Sequence, residues 1–320
     1  MSRASRAEKK AKKNKVTISD QYDESSRVLT DAEAHRDVSY ELPSFLSQTL
    51  QCFKVQMKRY TRQKIMWICL VLLALIPIIY YSLKAFSQSV QLLPETDFAN
   101  IYMANLLSFG GLVIPLLSAI ACGSMLSQEF NERTVFLSLP LPMSRFAFYI
   151  GKFFAALVLI EGTVAAAYGI SILIAMQETT YLYSGSIFTS FLLAMTFAFF
   201  CCAISYAMST KLRRGSSMLP FITVYIVLPV LGIVGYVLSD IEIVKTVCTY
   251  IPSFEMDMAI NCLGDATTMT VSGIVVSMFM ATSMLSITFP SNIALMISIT
   301  ILISILLLYL GYRVVKRRDM

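Results

Sequence analysis

Charge is scarce in this chain. Asp, Glu, Lys and Arg make up 14% of its 320 residues, against 56% hydrophobic residues and a mean hydropathy of +0.67, a balance far from that of soluble domains. Several other things are missing. No segment alternates apolar and polar residues as an outer-membrane barrel strand would, so helices must satisfy the backbone of any membrane-crossing part. The phosphate-cradling pattern G-x-x-x-x-G-K-[ST] is absent, since Gly151-Lys152 is followed by Phe153 and lacks the earlier glycine, and the chain is not expected to hydrolyse ATP itself. No apolar stretch of signal-peptide length precedes residue 43, so no cleavable secretory signal is expected. The one histidine, His35, lies in a polar tail, and adjacent Cys201 and Cys202 have neither the spacing nor the company of a metal site, so no metal is expected.

What the chain does have is long apolar runs. A hydrocarbon core of about 30 Å needs roughly 20 helical residues, and six stretches qualify: 65–83, 106–126, 153–176, 187–208, 218–238 and 293–312. The expected fold is an all-α polytopic membrane protein of six transmembrane helices. Basic residues prefer the cytoplasmic side, and with this layout 24 of the 26 Lys and Arg fall on one face, leaving only Lys84 and Lys245 on the other. Both termini are therefore expected in the cytoplasm. A seventh span would move Lys316, Arg317 and Arg318 outside, so Val271 to Ile287 is read as an outer interfacial or re-entrant part of a long extracytoplasmic segment, 239–290.

Residues 1–42 are polar, carry Lys9, Lys10, Lys12, Lys13 and Lys15, and lack apolar periodicity; a disordered basic cytoplasmic tail is expected. That basic run suits attraction to anionic lipid and equally a solvated, topology-setting tail. From 43 to 64, Leu46, Leu50, Phe53, Met57 and Tyr60 recur at helical spacing while Lys54, Lys58, Arg59 and Arg62 take other faces. This predicts an amphipathic helix lying in the membrane interface before the first span.

Within the membrane, Glu161 is the lone ionisable residue, midway along the third apolar run. Burying it ionised at the bilayer centre would cost on the order of 3 kcal/mol, so it is a candidate intramembrane polar site, or a structural carboxyl hydrogen-bonded to a neighbouring helix. Gly162 and Gly169 leave room for close helix approach, and Pro77, Pro115 and Pro229 are candidate kinks. Cys248 and Cys262 both fall in the outer segment and are a candidate disulfide.

The charged interruption 127–152 is the remaining feature. Glu129 and Arg133 are spaced i, i+4 on a helix that continues beyond the second span, and Pro140 and Pro142 stop it. Here the residues resemble the integral membrane subunits of type-2 ABC exporters, the ABC-2 permeases. Their first cytoplasmic loop typically has a Glu five residues before a Thr, an Arg eleven after it, a Pro three before that Arg, and a Gly-Lys pair beyond. Glu129, Thr134, Arg145, Pro142, Gly151 and Lys152 stand at those places. Arg133 replaces a frequent Gly, Asn131 a second Glu, and Pro140 is extra. The ending Lys316, Arg317, Arg318, Asp319 resembles the family's tail after the sixth span.

The resemblance, which runs from about residue 43 to 320, implies a permease subunit of an ATP-driven exporter in the cell membrane, coupled to a separate ATPase through this loop. Glu129, Glu132, Arg133, Thr134, Pro142, Arg145 and Lys152 are its implied coupling residues, with Glu129, Glu132, Arg133 and Arg145 transmitting force by charge pairing. Implied partners are an ABC ATPase that holds ATP and Mg, a second copy of this chain or a related permease, and membrane lipids. No cofactor in this chain and no nucleic acid are expected. A non-transporting membrane anchor or assembly scaffold would share the same topology; a secondary transporter would show repeats and more intramembrane charge.

Overall fold

The computed structural model describes residues 44–64, 110–123, 125–126, 144–178, 184–211, 218–238, 241–263, 268–270, 286–288 and 292–317, with Trp67, Val71 and Leu107 between them. All belong to one compact unit, 43–320. In chain order the elements are α1 (Phe45–Arg62), α2 (Gly110–Cys122), α3 (Arg145–Glu178), α4 (Ser184–Ser209), α5 (Leu219–Ile222) and α6 (Leu228–Leu238). There follow α7 (Glu242–Thr249), α8 (Glu255–Asn261), a two-stranded antiparallel ribbon of β1 (Thr268–Thr270) and β2 (Ser286–Thr288), and α9 (Ile293–Arg317).

Four helices are long and apolar enough to cross a membrane: Arg145–Met176, Ser186–Ser209, Leu219–Tyr236 and Ile293–Arg317. They coincide with the third to sixth expected spans. Of the second, α2 supplies 13 residues, with Leu107, Met125 and Leu126 also helical beyond its ends. The first, 65–83, lies outside the described residues apart from helical Trp67 and Val71, as does Pro77.

α4 is apolar on every side, which suits a central helix, and it packs against α2, α3, α8 and α9. The closest crossing is at Gly311 of α9, where an added Cβ would lie 2.5 Å from Tyr149 Oη and 3.2 Å from Ala207 Cα. α5 and α6 form one rod joined by a π-helical turn, Thr223–Val227, in which the Leu228 amide donates to the Thr223 carbonyl. That wide turn immediately precedes Pro229, whose missing donor would otherwise break the ladder. Pro115 sits inside α2, with Ser118 Oγ donating to its carbonyl at 2.8 Å.

Arg145, Lys211, Arg313 and Arg317 collect at one end of the bundle, called here the basic end. At the opposite end the chain does not simply leave. After Leu238 it turns, and α7 runs back along α6, bringing Cys248 against Gly235 and Phe254 against Gly232. The ribbon pairs Thr268 with Thr288, Met269 with Ile287 and Thr270 with Ser286; the rest of Val271 to Ile287 lies outside the described residues.

α1 buries Gln48, Cys52, Gln56 and Tyr60 and packs against α3, whereas Leu46 and Leu50 are exposed and Phe53 and Met57 are half-buried. The apolar stripe thus starts exposed at Leu46 and Leu50 and ends buried at Tyr60. Contact with α3 is closest at Gly151, where a Cβ would sit 2.7 Å from both the Thr49 carbonyl oxygen and Cys52 Cβ. Because one of those atoms is backbone, the helices must separate to admit a side chain. Gly151→Ala is expected to destabilise the chain by about 1–3 kcal/mol, whereas Gly169→Ala, which meets nothing within 4 Å, should stay within about 0.5 kcal/mol. Denaturant unfolding in detergent micelles measures both, and equal effects would contradict the packing.

Candidate functional site

The basic end is built around the first turns of α3. Ser144 caps that helix, its Oγ accepting from the Ala147 amide at 3.1 Å, and its own amide donates to Gln48 Oε1 of α1 at 2.9 Å. One turn from the other end of α1, Tyr60 is buried and its hydroxyl donates to the Ala121 carbonyl of α2 at 3.0 Å, with Met125 Sδ 3.6 Å away. α1 therefore grips the chain on both sides of 127–143, before it leaves α2 and where it enters α3.

α3 is in turn bolted to α4 and α9. Tyr149 Oη donates to the Leu308 carbonyl at 3.1 Å, and Tyr206 Oη donates to the Tyr149 carbonyl at 2.8 Å, with the two rings 4.7 Å apart. Phe45, Phe146 and Tyr312 continue the aromatic contact from α1 across α3 to α9, at centroid separations of 5.7 and 5.2 Å. An apolar cavity of about 320 Å³ lies beside this cluster, lined by residues of α3, α4 and α9 including Phe153, Phe199 and Tyr309.

Two of the expected coupling residues belong here. Arg145 Nη1 donates to the Lys316 carbonyl at 3.4 Å, placing a cation on the carbonyl-rich last turn of α9. Lys152 is buried, with its ammonium 3.8 Å above the Phe148 ring one turn back. Glu129, Glu132, Arg133, Thr134 and Pro142 lie outside the described residues.

Glu161 sits half-buried on α3 and has no hydrogen-bond partner among the described residues. Gly162 beside it is exposed, and among the described residues an added Cβ at Gly162 or Gly169 would meet nothing within 4 Å. Cys248 and Cys262 carry free thiols, the first against Gly235 and the second beside Tyr168.

A further group that the sequence does not single out is Glu255, which falls in segment 239–290 and is fully buried at the start of α8, with Thr196 Oγ1 at 2.6 Å from Oε1. Thr196 is 12 residues into α4, about 18 Å along that helix. The available signal is local: Phe254 and Met256, on either side of Glu255, are both buried, and Pro252 starts the turn that aims them inward.

An array of long apolar helices, four of them long and apolar enough to cross a membrane, defines a multi-pass membrane protein. The sequence matches the description "ABC-2 family transporter protein" over residues 51–320, and the chain belongs to that family. It is an ABC transporter permease, a transport membrane subunit of a family that generally works with an ABC ATPase, and not itself catalytic. No curated protein matches the chain.

Each grip of α1 turns on one side chain. Tyr60→Phe and Gln48→Leu are each expected to cost about 1 kcal/mol and to speed proteolysis within 127–143, read by limited digestion in detergent. Unchanged unfolding and digestion in both would contradict the clasp.

Proposed function

We propose that this chain is the membrane half of an ATP-driven exporter, with six spans, in which segment 127–152 receives the force of a separate ATPase. The supporting observation is the clasp: α1 holds the chain at Ala121 and at Ser144, the two sides of that segment. A push on the loop then reaches α1 and α3 together, and passes to α4 and α9 through Tyr149, Tyr206 and Arg145.

In this reading the basic end faces the cytoplasm with both termini, in the plasma membrane. The exposed start of the α1 stripe, Leu46 and Leu50, rests in the inner lipid interface. Glu129, Glu132, Arg133 and Arg145 pair with charges on the ATPase, which holds the ATP and Mg. Thr134 and Pro142 shape the loop, and Lys152 braces its exit against Phe148. A second copy or a related permease completes the pathway, and the exposed strip of α3 at Glu161 and Gly162 is open to it or to lipid. Cys248 and Cys262 face the oxidising side, here as free thiols.

Affinity purification of the intact chain from its native membrane is expected to bring down an ABC ATPase in stoichiometric amount. Joint reversal, Glu129→Lys with Arg133→Glu, should weaken that capture at least about tenfold, the effect of about 1.4 kcal/mol. If no ATPase accompanies the parent chain, the coupling reading fails.

A further inference from the structure

Glu255 has an environment that suits a neutral carboxyl and not a charged one. It is fully buried, and the only hydrogen bond it makes among the described residues is with Thr196. The Thr196 hydroxyl also lies 3.1 Å from the Leu192 carbonyl and 2.9 Å from the Leu193 carbonyl, the usual acceptors for a threonine within a helix. A hydroxyl has one proton to give. If it serves a carbonyl, Thr196 Oγ1 must accept from Glu255, and Oε1 must then carry a proton. The second oxygen, Oε2, is buried and makes no hydrogen bond of good geometry among the described residues; Thr300 Oγ1 of α9, likewise buried, is the one other hydroxyl among them near enough to favour the ionised form. A carboxylate would leave a full charge on that orphaned oxygen in a dry site.

Among the described residues the surroundings supply no counter-charge. No Lys or Arg among the described residues acts on Glu255. Of the elements packed against it, α4 brings Cys201, α2 brings Cys122 beyond it, and α9 brings only the Thr300 hydroxyl. On α8 itself Asp257 is half-buried, and the turn 252–254 carries no ionisable group. Two neighbours show how closely this region fits: an added Cβ at Gly110 of α2 would strike Met256 Cε, and one at Gly232 of α6 would lie 2.6 Å from the Phe254 ring.

We propose that Glu255 is a proton-binding site that latches the folded-back segment 252–261 into the bundle, and that loss of the proton to the end opposite the basic one releases it. The step is an ionisation. The carboxyl O–H bond breaks, its electron pair stays on the oxygen, and the proton passes to water entering beside α7 and α8. The carboxylate then needs hydration, which the closed packing around Thr196 and Thr300 excludes, so the segment swings out.

The linkage has a definite sign. Burial raises the Glu255 pKa from 4.5 to about 8 in the closed segment, with the Thr196 and Thr300 hydroxyls pulling it down, whereas an exposed carboxyl keeps its ordinary value. The closed form binds the extra proton between those limits. Its advantage is therefore greatest at low pH, falls about tenfold per pH unit from about 4.5 to about 8, and is flat above.

The test is amide hydrogen exchange of the intact chain in lipid nanodiscs, followed on peptides covering 252–261 and corrected for intrinsic rates. No partner chain is needed, so failure here is separable from failure of ATPase coupling. Between about pH 5 and about pH 8 the opening constant should rise at least about a hundredfold, while peptides from α3 stay constant. Glu255→Gln, neutral at every pH, should remain protected and lose the dependence. If that variant does not fold, infrared titration of the parent chain decides, because a protonated-carboxyl carbonyl band should disappear around pH 8. Protection of the parent that is independent of pH, the same slope in Glu255→Gln, or no titrating carbonyl band would overturn the proposal.

Discussion

The crossing of α1 over α3 at Gly151 is the contact on which the rest of the basic end depends. With no side chain at 151, the Thr49 carbonyl and Cys52 come down onto the α3 backbone, and this sets the distance at which every other contact forms. Gln48 then reaches the Ser144 amide, Phe45 stacks on Phe146, and Tyr60 reaches Ala121. None of these bonds is strong alone, since a net hydrogen bond contributes about 1 kcal/mol. Together they fix the angle of the first turns of α3, and Tyr149 and Tyr206 extend that fixity to α4 and α9.

The opposite end is organised differently. Glycines again admit the close approach, at 110, 232 and 235, but what enters is a folded-back segment of the same chain rather than a surface helix. That segment is short, and α8 has seven residues. It fills its site with Phe254, Met256 and Met258, all buried, around one carboxyl. The basic end is held by many contacts across four helices, whereas the other is closed by few elements around a titratable group.

Long apolar runs made the third to sixth spans and the class of protein legible, because hydropathy over 20 residues depends on composition and not on packing. The helix at 45–62 was equally legible from its period, whereas the burial of its polar Gln48 and Gln56 was not. Leu46 and Leu50 point away from the protein because lipid, which leaves no mark in a soluble core, is as good a partner for them as protein. Glu161 and Glu255 show the same limit. Hydropathy singles out Glu161 by its position in an apolar run, but it is half-buried and lacks a hydrogen bond among the described residues. Glu255 lies between spans in sequence and deep among them in space, because the turn after Leu238 and the Pro252 turn reverse the chain. A window average cannot see a reversal. The loop pattern at 129–152 pointed to the right family, although its first residues lie outside those described.

The central claim is the proposal that a push at the basic end passes to α4 and α9 through Tyr149 and Tyr206. Paired spin labels at residues 241 and 292, both exposed at the end opposite the basic one, would report it in the complex with the ATPase. Adding ATP should change their separation in the parent chain, and Tyr149→Phe with Tyr206→Phe should remove roughly half of that change or more, each substitution costing about 1 kcal/mol of connection. An ATP-driven change of the same size in the double variant would contradict the account.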